Sequence, residues 1–354
     1  MDAIPSTHSH IPGCHHYRPV PHRVDATRHT ADVVVLGDNA AGIIAGVQAP
    51  RMGLQVIVAG FGRRLGGLTS GGLGRTDVGN REAVGGLSRA FYRRVGARYE
   101  QDEAWHFEPG VAEDVLRQFA SEAGLIILPD CHLARVERDY TRIASLVMES
   151  GVTIDGKQFI DASYEGDLLA SAGVSWKWGR EGRTQYDEAL AGVHFSHGAH
   201  NFRRFVDPYV VPGLPGSGLL PGISAEDPGR QGDGDRRVQA YNFRLCLTDV
   251  PANRLTISRP GDYDPQRYEL LRRYLDTGMW DALKLLVKMP NGKTDLNNFG
   301  GFSTDHIGAN HRWPVAGHAE RERIFQDHLS YTLGLLWFLG NDPRVPAEVR
   351  DEAG

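Results

Sequence analysis

The sequence predicts an α/β fold in which a parallel sheet flanked by helices precedes a second, mixed α+β lobe. Three observations predict it. Near residues 31–59, two β-branched apolar runs flank one helix of small residues; a glycine-dense loop follows at once; and beyond about residue 174 proline and glycine punctuation replaces the periodic pattern. At 354 residues the chain exceeds what one core usually supports. It divides into a tail over 1–30, a first domain over 31–173 and a second lobe over 174–354.

The tail holds His8, His10, His15, His16, His22 and His29 among prolines, serines and threonines, a composition that cannot pack a core and reads as disordered. Order is expected from Ala31. "ADVVVLG" has the character of a strand buried on both faces, "AAGIIAGVQAP" that of a helix ended by Pro50, and "LQVIVAG" that of a second buried strand. A crossover this short makes the two strands parallel, and the βαβ unit is Rossmann-like. Residues 61–86 are too glycine-rich for anything but loop. Helical patterns follow in "LSRAFYRRVGARYE" and, after Pro109, "GVAEDVLRQFASEAG". "LIILPD" reads as a third buried strand, residues 132–160 as a small antiparallel β-meander, and "YEGDLLASAG" as a short helix. In the second lobe one strand, "VQAYNFRLCLT", and helices near 265–289 and 319–340 stand between long loops.

Charge and composition narrow the function. With 39 basic against 44 acidic residues, a net charge of −5 and no lysine-rich tract, nothing marks a nucleic-acid footprint, so a small-molecule substrate is expected. No apolar run reaches the length of a membrane span and no secretory signal is visible, which points to the cytoplasm. Cys14, Cys131 and Cys246 share neither disulfide nor zinc spacing, and no metal site is expected. The oligomeric state leaves no signature in the sequence.

The first strand ends in Gly37-Asp38-Asn39-Ala40-Ala41-Gly42. In a dinucleotide fold the first glycine allows a tight turn, the second lets backbone approach a pyrophosphate, and the third lets helix and strand pack closely. Gly37 and Gly42 meet the first and third requirements. Asn39 replaces the second glycine: asparagine tolerates positive φ, yet its side chain fills space a phosphate would use, so affinity is expected to suffer. The second strand ends in Ala59 and Gly60, without the carboxylate that normally holds a ribose.

The runs "RLGGLTSGG" and "IDASYEGD", with "WHFEPGVAEDVLRQF" and "MPNGKTDLNN", resemble the FAD-dependent oxidoreductases of the glutathione-reductase-like FAD/NAD(P)-binding fold. Within these the similarity is to the bacterial group labelled xanthan-lyase-like, and it spans residues 31 to 350. The resemblance implies FAD as cofactor, with Gly37, Asn39, Ala40 and Gly42 bordering its pyrophosphate. It implies a wrapping loop of Arg64, Gly66, Gly67, Thr69, Ser70, Gly71 and Gly72, whose exposed amides, hydroxyls and one guanidinium suit an anion. Leu133 would offer backbone to the adenine, and Ala162 and Ser163 would return the chain to the nucleotide. Asp167 reads equally as a helix cap.

Catalytic signals are sparse, because a flavin carries the hard chemistry itself. His106, in "WHFEP", is the candidate base, with packing between aromatics as its alternative. Arg244, in "YNFRL", is the candidate carboxylate clamp, with an ordinary ion pair as its alternative. The polar run from Lys293 to Asn298 is a further candidate, or only a turn. Relatives continue past Gly354 with a segment that covers the flavin, so a C-terminal truncation is expected. Hydride transfer from a small organic donor is the first reading; a silent relative with weak or no FAD binding is the second. A polysaccharide (xanthan) lyase is the third, with no base beside a charge-neutralising site to support it.

Overall fold

A computed structural model describes Tyr17 and residues 26–353, apart from positions 197 and 284. His8, His10, His15, His16, His22 and Cys14 lie outside the described residues. Strand β1 (Arg28–Leu36) leads into helix α1 (Ala40–Gln48) and strand β2 (Val56–Ala59). The strand starts before the expected Ala31 because Arg28 to Ala31 pair with residues 153–156, and Arg28 forms a two-point ion pair with Asp155 at 2.6 and 2.8 Å. Those extra residues therefore belong to the sheet and not to the tail.

Helices α2 (Gly86–Ala97) and α3 (Pro109–Glu122) follow, then β3 (Ile126–Leu128), β4 (Leu133–Asp139), β5 (Arg142–Met148), β6 (Thr153–Asp161) and α4 (Asp167–Ser171). The six strands form one sheet in the order β3-β2-β1-β6-β5-β4. Its first four strands are parallel, and β5 and β4 continue it antiparallel. The meander is thus an extension of the Rossmann-like sheet. On one face Val33, Val35, Val58 and Ile43 pack with Phe91, Val115 and Phe119; on the other Val34, Leu36, Ile57 and Ala59 pack with Leu146, Met148 and Leu168. Val34, Val35 and Leu36 are fully buried, each contributing about 1.5–3 kcal/mol of apolar burial. β3 departs from expectation: it is the sheet's edge, and Ile126 is 47% exposed.

The second lobe begins with a single helical turn, α5 (Arg183–Tyr186), and long loops. Strands β7 (Leu245–Thr248), β8 (Leu285–Met289) and β9 (Lys293–Asn297) form an antiparallel sheet ordered β7-β9-β8. Helices α6 (Glu269–Asp276), α7 (His318–Asn341) and α8 (Ala347–Ala353) pack Leu271, Tyr274, Leu335, Phe338 and Val349 around Tyr268. Two expectations change here. The strand over 238–248 shrinks to β7, because Val238, Gln239 and Tyr241 give their backbone groups to His311, Asn310 and His306. The helix expected to 289 ends at Asp276, where Gly278 turns at φ +78°, and residues 285–289 pair with β9 instead. Among the described residues no helix is long and apolar enough to cross a membrane.

Candidate functional site

Gly37 turns the chain at φ +123°, and a side chain there would press on the Ala162 carbonyl at 2.5 Å. A Cβ at Gly42 would land on the Gly37 carbonyl, so α1 crosses β1 at backbone contact. Asn39 behaves otherwise than expected. It is extended, at φ −71° and ψ 175°, and caps α1: its Oδ1 accepts from the Gly42 amide at 3.0 Å, and its Nδ2 donates to the Ala162 carbonyl at 2.5 Å. The side chain thus stitches β6 to the helix and occupies one helix-terminal amide.

The loop from Arg64 to Gly72 is hydrogen-bonded onto this turn. The Gly66 amide donates to the Asp38 carbonyl at 2.8 Å, Gly66 and Gly67 sit at φ +112° and +56°, and the Ser70 hydroxyl donates to the Leu65 carbonyl at 2.5 Å. The Leu68 amide donates to the Tyr164 hydroxyl at 2.8 Å. Thr69 joins Ala40, Ala41 and Tyr92 in lining a cavity of about 210 Å³. A Cβ at Gly71 would meet the Gly67 carbonyl at 2.8 Å, and one at Gly72 would meet the Arg244 carbonyl at 2.5 Å, so this loop also supports the second lobe. Arg64 leans outward, 69% exposed, toward Glu113 at 3.3 Å.

Of the β6-side residues, Ala162 closes the turn. Ser163 serves α4 instead: its amide and hydroxyl donate to Asp161, and its hydroxyl accepts from the Asp167 amide at 2.8 Å. Asp167 does not cap by its carboxylate; it holds buried Arg321 at 2.7 and 2.9 Å. The Leu133 carbonyl accepts from His318 Nε2 at 3.0 Å. Arg244 grips Asp295 through contacts of 2.7, 2.7 and 3.0 Å, the ion-pair alternative, and Asp295 is 1% exposed. His106 is exposed, on a segment bridged to Arg75. Lys293 pairs with Glu108 at 2.7 Å.

Sequence reading passed over Asp38. Its carboxylate is buried against Gly60, near the amides of Phe61 and Gly62. Burial raises its pKa to about 6, although those amides and its own pull it down. A carboxyl whose folded pKa exceeds its unfolded one stabilises the fold when protonated; that contribution is complete below about pH 4 and is lost as pH rises through 6. Denaturation of wild type and Asp38→Asn between pH 4 and 7 is expected to differ in pH dependence by about 2–3 kcal/mol.

The profile of the family described as FAD dependent oxidoreductase matches residues 32–349. The chain belongs to this family. FAD is the cofactor this membership indicates. No curated protein matches the chain. Among solved structures it is similar to the L-amino acid deaminase from Proteus vulgaris (16% identity over 45% of this chain and 53% of that one, TM-score 0.35). Others are the L-proline dehydrogenase from P. horikoshii (14% identity, 44% and 59%, TM-score 0.34) and the flavin-containing monooxygenase from Stenotrophomonas maltophilia (18% identity, 38% of each chain, TM-score 0.29). The chain spans less than two thirds of the length of each.

As an FAD-dependent oxidoreductase family member, the chain fits the cofactor's diphosphate: glycines with no room for side chains bring two stretches of backbone together beside the start of α1. Asn39 narrows that fit by holding the Gly42 amide. Asn39→Gly is expected to release this amide and tighten FAD binding about tenfold, the value of one charge-assisted hydrogen bond. Losing the cap costs only about a few tenths of a kcal/mol. Flavin fluorescence titration checks the first effect and thermal denaturation the second.

Proposed function

We propose that this chain is an FAD-dependent oxidoreductase taking a hydride from a small organic donor, within the xanthan-lyase-like group whose "RLGGLTSGG" and "IDASYEGD" runs it carries. One observation above all supports this: the glycine loop lies hydrogen-bonded across the Gly37–Gly42 turn, so backbone from two stretches, bare of side chains at its glycines, borders the N-terminus of α1. Bound FAD supplies the hydride acceptor. Gly37, Ala40, Gly42 and the loop from Gly66 to Gly72 border the diphosphate, the glycines letting it approach, with Thr69 beside them; the Gly37, Gly42 and Gly66 amides are themselves engaged by Ala59, Asn39 and Asp38. Ala162 fixes the turn's back, and Leu133 offers its carbonyl to the adenine once His318 yields it. His106, exposed near the loop, is the proposed base, and Arg244 in its pair with Asp295 holds the second lobe against Gly72.

The visible spectrum tests the core of this. The purified protein, or the protein after incubation with FAD and desalting, is expected to show oxidised-flavin absorbance; a colourless protein that gains none refutes the proposal. His106→Ala is then expected to lower kcat about 10²-fold or more without changing flavin content, the usual weight of a general base.

A second reading, a silent relative with weak or no FAD binding, is favoured by site backbone groups that the chain already occupies, the Gly37 and Gly66 amides among them. Asn39 holds the Gly42 amide, Tyr164 the Leu68 amide, and His318 the Leu133 carbonyl. Tyr164 is 59% exposed, whereas Asn39 is buried, so the two readings divide on Asn39.

A further inference from the structure

We propose that Asp38 supplies the carboxylate for the adenosine ribose of FAD, replacing the one that β2 does not carry. In dinucleotide folds that acid stands at the end of the second strand and accepts from the ribose hydroxyls. Here the strand ends in Gly60. A Cβ built on Gly60 would land on the Asp38 carboxylate itself, 2.5 Å from its Cγ. The carboxylate therefore stands at the root of where a residue-60 side chain would project, reaching it from the neighbouring turn.

The carboxylate absent at residue 60 and the one present at residue 38 meet at one place. Glycine at 60 leaves the room, and aspartate at 38 fills it; a side chain at 60 would collide with the Asp38 carboxylate. The strand end is pinned, with the Gly37 amide on the Ala59 carbonyl at 2.8 Å and the Gly60 amide on the Leu128 carbonyl at 2.9 Å, so the carboxylate has a fixed address. Among the described residues Asp38 is in no ion pair, although it is only 9% exposed. A buried carboxylate without a cation is costly, and hydroxyl donors from a ligand reduce that cost.

The inference rests on the proposed FAD site, and the experiment separates the two. Wild type, Asp38→Asn and the double variant Asp38→Gly/Gly60→Glu are titrated with FAD and with an FAD analogue lacking the adenosine 2′-hydroxyl, and melting temperatures are taken on the same samples. Wild type is expected to prefer FAD about tenfold or more, as for a hydrogen bond to a charged acceptor. Asp38→Asn is expected to lose that preference while remaining folded, since its amide oxygen still accepts from Phe61 and Gly62. The double variant, with the carboxylate returned to β2, is expected to regain it. If Asp38→Asn keeps the preference, or wild type binds FAD and its analogue equally, the ribose role is overturned while the FAD site stands. If wild type binds neither, the site itself is wrong and the ribose role falls with it.

Discussion

Replacing Gly42 by alanine is expected to destabilise the protein by about 3 kcal/mol or more, beyond ordinary overpacking because the obstacle is backbone. The added methyl would land on the Gly37 carbonyl oxygen and lie 3.2 Å from the Ala162 side chain. Neither neighbour can yield cheaply, since Gly37 is wedged against Ala162 and hydrogen-bonded to Ala59. α1 must lift away from β1, taking Asn39 and the loop bond at Gly66 with it, so flavin binding is lost with the stability. Gly79→Ala is the control: nothing lies within 4 Å and no positive φ is required there. It is expected to stay within about 0.5 kcal/mol of wild type in the same urea titration. Equal effects at 42 and 79 would show that the crossing is not close.

Arg321→Leu is expected to cost about 3–5 kcal/mol, the usual loss when one member of a buried ion pair is removed. The guanidinium is 2% exposed, holds both Asp167 oxygens, and donates to the Trp313 carbonyl at 3.1 Å. Without it Asp167 faces Glu165, whose own pKa is already raised by burial, with no cation between them. The double variant Arg321→Leu/Asp167→Leu is expected to recover most of the loss, because apolar replacement of a buried pair is close to neutral. Chemical denaturation of the single and double variants decides it: equal losses would mean packing against the Trp313 ring, not charge, is what matters. The pair joins α4, just beyond the C-terminal end of β6, to α7 of the second lobe, so its loss is also expected to loosen the lobes at the candidate site.

Much of the first domain was legible because its signals are local. Apolar runs set β1 and β2, Pro50 ended α1, Pro109 opened α3, and Gly37 and Gly42 marked the turn. The second lobe was harder. Apolar content in residues 277–289 suits helix or strand, and only pairing with β9 selects the strand; residues 238–244 have strand character, yet distant loops take their hydrogen bonds. At the site the same limit appears. Asn39 was visible as an intruder among glycines, but not that it would cap α1 and reach Ala162. The alternation of roles between Ser163 and Asp167 depends on Arg321, far along the chain.

By itself, then, the sequence determined the α/β class, the glycine-lined turn and the glycine-rich loop after β2, because dihedral freedom and apolar periodicity are properties of neighbours along the chain. Only the tertiary structure decided that Asp38 stands where Gly60 has no side chain, that His318 meets Leu133, and that Arg244 is committed to Asp295. Those are meetings between separate segments, and which charges and carbonyls meet is settled by how strands register and lobes pack.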